Sequence, residues 1–128
     1  MADAPTDILM HRKTRSLELR YADGRRLDIP AELLRVYSPS AEVRGHGEGQ
    51  RILQTGKKYV TINAIEAVGN YAIRLVFDDG HDSGIYTWRH LADLGRNQER
   101  YWADYERDLK QANASRLPPI GVGQWSPS

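Results

Sequence analysis

The stretch GNYAIRLVFDDGHDSGIYTW, residues 69–88, decides how this chain folds. Within it Tyr71, Ile73, Leu75 and Phe77 recur at every second position, the period of a strand with one face in a core. Gly69-Asn70 is a tight turn before that strand, and Asp78-Asp79-Gly80 is another after it. HDSGIY, residues 81–86, then reads as the next strand. Upstream, YVTINAIEAV (59–68) places Val60, Ile62 and Ala64 on one face, with Ile65 and Val68 following less strictly. The slip in alternation near Ile65 predicts a bend or bulge. Strands joined by turns this short favour antiparallel pairing.

Outward from this centre the pattern repeats. In SLELRY (16–21), Leu17, Leu19 and Tyr21 share one face, while Glu18 and Arg20 share the other. Asp23-Gly24 supplies the positive φ of a hairpin, and RLDI (26–29) returns. Pro30 opens a short helix, PAELLRVY, since proline is tolerated in a first helical turn. SPSAEVRGHGEGQ (38–50) holds three glycines and a proline and reads as a long exposed loop of the kind that carries function. Thr87 is an N-cap and Gly95 a C-cap for WRHLADL. Asn97 caps a last helix, QERYWADYERDLKQANA, in which Tyr101, Trp102, Tyr105 and Leu109 recur at helical spacing and read as core.

Residues 1–13 are expected to form a flexible arm, 14–114 a single domain and 115–128 a flexible tail rich in proline, glycine and serine. Strands come first and helices cluster late. The expected fold is therefore α+β, an antiparallel sheet with helices packed on one face in two layers and helices at the C-terminal end.

Composition excludes several chemistries. The 128 residues contain no cysteine, which removes disulfides, thiol nucleophiles, iron–sulfur ligation and cysteine-based zinc sites. Eighteen basic residues against 17 acidic ones give a net charge of +1, no basis for nucleic-acid binding. No apolar run approaches the roughly 20 residues of a membrane helix. The N-terminus, with its acids early and basics late, lacks the form of a secretory signal. The expectation is a cytoplasmic protein that binds neither nucleic acid nor membrane.

His81, flanked by Asp78, Asp79 and Asp82, has the surroundings of a base or metal ligand. It lacks local partners, since His90 and His46 stand at no ligand spacing from it. No nucleophile elbow, phosphate loop or dinucleotide fingerprint is present, and GHGEG (45–49) lacks the lysine of a phosphate cradle. From the residues alone, His81 reads as a structural histidine that hydrogen-bonds across the sheet.

The segments LRVYSPSAEVRGHG and AVGNYAIRLVFDDGHDSGIYTW together resemble the small bacterial DUF971 proteins, which are similar to the N-terminal domain of gamma-butyrobetaine and trimethyllysine hydroxylases. The resemblance covers about residues 14–109. It implies that His81 stands where the hydroxylases have a zinc-binding histidine. Their other three ligands are cysteines of a C-P-C-x-x-C segment, and the matching positions here are Ser38, Ser40 and Val43, with Pro39 as the intervening proline. Hydroxyls are poor zinc ligands and valine is none, so no metal or other cofactor is expected. Contacts from His81 to the 38–46 loop are the expected replacement. The oxygenase domain and its iron-binding triad have no counterpart here. Related domains are fused to Mrp-type ATPases that carry iron–sulfur clusters, which links the family to cluster assembly by association only.

The expected function is a non-enzymatic accessory or interaction domain that binds an unknown protein partner. Its candidate vestigial-site or interaction residues are Ser38, Ser40, Val43, Arg44, His46, Asp79 and His81. The alternative is a metal- or small-molecule-dependent enzyme using His81, His46 and nearby carboxylates. A homodimer joined at a sheet edge or the last helix is a third expectation.

Overall fold

The computed structural model describes residues 3–45 and 51–119. Its strands and helices follow the order β1 (Asp7–His11), β2 (Ser16–Arg20), β3 (Arg26–Pro30), α1 (Ala31–Val36), α2 (Ala41–Arg44), β4 (Ile62–Val68), β5 (Ala72–Phe77), β6 (Ile85–Thr87), α3 (Trp88–Arg96) and α4 (Gln98–Gln111). The fold is α+β with antiparallel strands and C-terminal helices. The strands divide into two three-stranded sheets, β1-β2-β3 and β4-β5-β6. Pro30 ends β3 and leads straight into α1, so the chain leaves the first sheet before β4 begins.

Period-two patterning sets both registers. Leu17 and Leu19 lie opposite Ile29 and Leu27 on one side and Met10 and Ile8 on the other. In the second sheet Leu75 pairs Ile65, and Ile73 pairs both Ala67 and Tyr86. The anticipated irregularity in β4 lies between Ile62 and Ala64. The inward faces of both sheets, with Leu33 and Leu34 of α1, Leu91 and Leu94 of α3 and Tyr105 and Leu109 of α4, form a single core. Burial of side chains of this size contributes roughly 1.5–3 kcal/mol each before chain entropy is subtracted.

Four local expectations are corrected. Residues 7–11, assigned to the arm, form β1. Ile8 and Met10 pack on the core, and His11 Nε2 meets Glu18 at 2.8 Å. Gly95 does not end α3; it lies inside the helix because a Cβ there would come within 2.9 Å of the Leu27 side chain. Asn97 is the N-cap residue of α4, but its side chain bonds Asp93 of the preceding helix and makes no cap hydrogen bond. HDSGIY forms a strand only at its end, since residues 81–84 turn inward to build the site described below.

The tail begins later than its composition suggests. Ser115 and Arg116 accept backbone hydrogen bonds from Gly56 (2.9 Å) and Lys58 (2.9 Å), and Arg116 pairs with buried Glu32. Truncation after Leu117 keeps these contacts and should shift the melting temperature by less than about 5 °C, whereas truncation after Ala114 should lower it by more than about 5 °C. Equal melting of the two truncated proteins in a thermal scan would show that the 115–116 segment contributes nothing. Among the described residues, no helix is long and apolar enough to cross a membrane.

Candidate functional site

Two connections converge on His81. The first is the turn after β5, where Gly80 takes φ +91°, a backbone state that side chains resist. The Gly80 amide donates to Phe77 O at 3.2 Å, and the Phe77 amide donates to His81 O at 2.9 Å. This closure turns the imidazole into the protein, with its side chain 2% exposed. The second connection leaves α1 at Tyr37 and passes through Ser38, Pro39 and Ser40 into α2. Ser40 caps that helix by accepting the Glu42 amide at 3.3 Å.

Both ring nitrogens of His81 are engaged. Nε2 lies 2.8 Å from Ser38 Oγ, and Nδ1 lies 3.0 Å from Glu42 Oε2. A carboxylate only accepts, so Nδ1 carries the proton and donates to Glu42, while Nε2 accepts the Ser38 hydroxyl. Ser38 Oγ in turn accepts the Ser40 amide at 3.2 Å. Burial lowers the His81 pKa, the Arg35 guanidinium lowers it further, and the hydrogen bond to Glu42 opposes both without reversing them. His81 is thus neutral and held as one tautomer.

Asp79 supports this arrangement from behind. Its Oδ1 accepts the His81 amide at 3.1 Å, and its Oδ2 accepts Arg35 Nε at 2.8 Å and Lys57 Nζ at 2.6 Å. Burial disfavours its ionised form, but Lys57, the His81 amide and Arg35 together outweigh that and hold its carboxyl at about 2.

The residues singled out from sequence divide accordingly. Ser38 and Asp79 each bond His81 directly, one at its ring and one at its amide. Ser40 joins them through its N-cap role and a 2.6 Å hydrogen bond to Ser83 Oγ. Val43 is the buried residue of α2. Arg44 faces outward. His46 lies outside the described residues. The 38–50 segment was expected to be an exposed loop, yet Ser38, Ser40 and Val43 are buried, because α2 is pinned by His81 and by its cap. Sequence reasoning missed Glu42, Arg35, Lys57 and Gly84. Glu42 carried a faint signal, an acid in the first turn after a capping serine. Gly84 carried none; a Cβ there would stand 2.5 Å from Ser38 Oγ and 3.0 Å from the Tyr86 ring.

Ser38, His81 and Glu42 have the connectivity of a serine nucleophile, its base and an orienting acid. Ser38 is 1% exposed, so no substrate carbonyl reaches its Oγ, and the relay is a closed structural link. The zinc that the family resemblance implies does not fit either. Of the four matching positions, two offer hydroxyls and one a valine, and the histidine has no free nitrogen. Among the described residues, no group of three or more His, Asp or Glu side chains could hold a metal ion.

Beside this link lies an open depression of about 790 Å³, bordered by Pro39 and Arg44 from the α2 segment, by Ile85 of β6, and by Arg89, His90 and Asp93 of α3. Thr87 caps α3, accepting the His90 amide at 3.1 Å, and sets the angle at which this helix leaves the strand. His90 Nε2 meets Tyr37 O at 3.0 Å, and burial lowers its pKa more than that hydrogen bond raises it.

Comparison with known proteins places this arrangement. The family described as gamma-butyrobetaine hydroxylase-like, N-terminal, matches residues 8–92. No curated protein matches the chain. An NMR solution structure is similar over 99% of this chain and 100% of its own, with 43% identity and a TM-score of 0.80. A second NMR structure, 49% identical, covers 98% of this chain and 93% of its own at a TM-score of 0.78. A 1.93 Å crystal structure of a DUF971 protein of unknown function from Acidithiobacillus ferrooxidans ATCC 23270 is 36% identical over 71% of this chain and 91% of its own, with a TM-score of 0.60. With the family's match spanning both sheets and the whole His81 site, the chain belongs to the gamma-butyrobetaine hydroxylase-like N-terminal family.

Proposed function

We propose that this protein is a non-enzymatic interaction domain that binds a protein partner over the face formed by α2, β6 and the start of α3. One observation carries this proposal. His81, the residue best placed for chemistry, has both nitrogens committed to Ser38 and Glu42 and almost no exposure, so it serves as a post that fixes α2 beside the open depression. The side chains left facing solvent there are Glu42, Arg44, Ile85 and Arg89, residues suited to recognition rather than catalysis.

Replacing the whole 38–50 segment is a poor test, since it removes buried Ser38, Ser40 and Val43. Photo-crosslinking keeps the fold. Benzoylphenylalanine installed at Ile85 or Arg89, both exposed, should give a defined adduct with a partner protein in cells. The same probe at Asn63, exposed on β4, should not. No adduct at either position, or the same adduct at Asn63, would overturn the proposal.

A further inference from the structure

We infer that the depression between α2 and α3 receives an acidic segment of a protein partner, gripped by Arg44 and Arg89; this rests on the interaction role proposed above. Arg44 from α2 and Arg89 from the first turn of α3 border the same concavity, and both are exposed. The carboxylates closest in the chain are engaged elsewhere. Glu42 accepts from His81 Nδ1. Asp93 accepts the Tyr101 hydroxyl and Asn97 Nδ2, with Arg100 Nη2 at 4.0 Å. Among the described residues, Arg44 and Arg89 therefore have no carboxylate partner. Guanidinium groups at one concave site can each take a bound carboxylate in bidentate geometry.

The remaining walls narrow the chemistry. Ile85 is 44% exposed and Pro39 borders the same space, so an apolar side chain between two acids has a surface to rest on. His90 is bonded to Tyr37 O, and burial lowers its pKa, which disfavours a third cation here. The positive surface is local, in a chain whose net charge is only +1. A nucleic-acid backbone needs a longer track of cations than this depression offers, which favours a short acidic peptide.

The test uses two probe peptides, acetyl-Asp-Glu-Leu-Glu-Asp-amide and its neutral counterpart acetyl-Asn-Gln-Leu-Gln-Asn-amide. Each is titrated into ¹⁵N-labelled protein with NMR detection. The acidic peptide should shift the amides of Arg44, Ile85 and Arg89, and added salt should weaken it. The double variant Arg44→Glu/Arg89→Glu should bind it at least about tenfold more weakly, and a Lys-Arg-Leu-Arg-Lys peptide should recover binding to that variant. Because both arginines are exposed, the variant should melt like the parent; Arg44→Gln/Arg89→Gln serves as a milder second variant with the same expected direction. Equal binding of the neutral peptide, an unaffected double variant, or tighter binding of a single-stranded oligonucleotide at the same amides would each overturn the inference. Crosslinking at Ile85 that succeeds while the acidic peptide fails would overturn this chemistry and leave the interaction role standing. Failure of the crosslinking overturns both.

Discussion

Glu32→Ala should destabilise the protein by about 3 kcal/mol in urea unfolding, the largest loss expected from a single side chain outside the apolar core. Glu32 is 5% exposed and sits at the start of α1. Its Oε2 accepts the buried Tyr105 hydroxyl at 2.8 Å and Arg116 Nε at 2.7 Å, while Oε1 accepts Arg116 Nη2 at 2.7 Å. Burial and the neighbouring carboxylate both raise the Tyr105 pKa, so its hydroxyl stays a donor. Removing the carboxylate strands that hydroxyl and frees the segment that carries Arg116. Part of the cost is tempered because the Arg116 side chain is 36% exposed and can turn to water. Arg116→Met removes the cation instead and leaves a buried carboxylate with one hydroxyl donor. The two changes act on one network, so the double variant should be no less stable than Glu32→Ala by more than about 0.5 kcal/mol. Strictly additive losses, or a Glu32→Ala effect below about 1 kcal/mol, would show that the clamp is decorative.

His81→Ala should cost about 1–3 kcal/mol, since Ser38 loses its acceptor and Glu42 its donor, and α2 loses its post. His81→Asn should recover part of this, because an amide both donates and accepts. A chelator should change neither protein, because the donors at this site do not suit zinc. Loss of stability in the parent on chelation, matching and not adding to the alanine change, would show that a metal holds the site. The same histidine sets an acid limit. Its folded pKa lies below the ordinary value of about 6.5, so the unfolded chain takes up a proton that the folded chain resists. Stability from this group is present above about pH 6.5 and is lost as pH falls from there through the lowered folded value. His90 acts in the same direction. Asp79, held at about 2, adds a second loss beginning below about pH 4. His81→Ala should flatten the first of these slopes in melts taken from pH 7.5 to 5; an unchanged slope would place the titration elsewhere.

His81 shows how much of the site was legible. Its turn follows from Asp-Asp-Gly, and the sequence reads it as a structural hydrogen-bonding residue, but its bonds run to Ser38 and Glu42 rather than across the sheet. The match of Ser38, Ser40 and Val43 to ligand positions pointed to the segment that meets it. The identity of its second partner did not follow. Glu42 lies 39 residues away and Ser38 lies 43, and the place of Glu42 in the first turn after a capping serine marks a helix start, not a partner for a distant histidine. The burial of Ser38, Ser40 and Val43 was misjudged for the same reason. Serine, proline and glycine describe a loop until a distant histidine supplies the hydrogen bonds that let it be buried.

What the sequence by itself determined are the features whose physics is complete within a few residues. These are the period-two faces of β2 and of β5 at Ile73, Leu75 and Phe77 (Tyr71, read with them, lies exposed before the strand), the positive-φ glycines at 24, 69 and 80, the Thr87 cap, and the cysteine-free composition that rules out thiolate chemistry. Tertiary structure alone decided the rest. It kept Gly95 inside a helix because Leu27 lies against it, and it drew residues 7–11 into a sheet because β2 had an open edge. It joined Glu32 to Arg116 across 84 residues and closed the ring of Ser38, His81 and Glu42. In each of these cases the stabilising partner comes from a remote part of the chain, and a hydrogen bond or packing contact acts only when the fold has brought its two halves together.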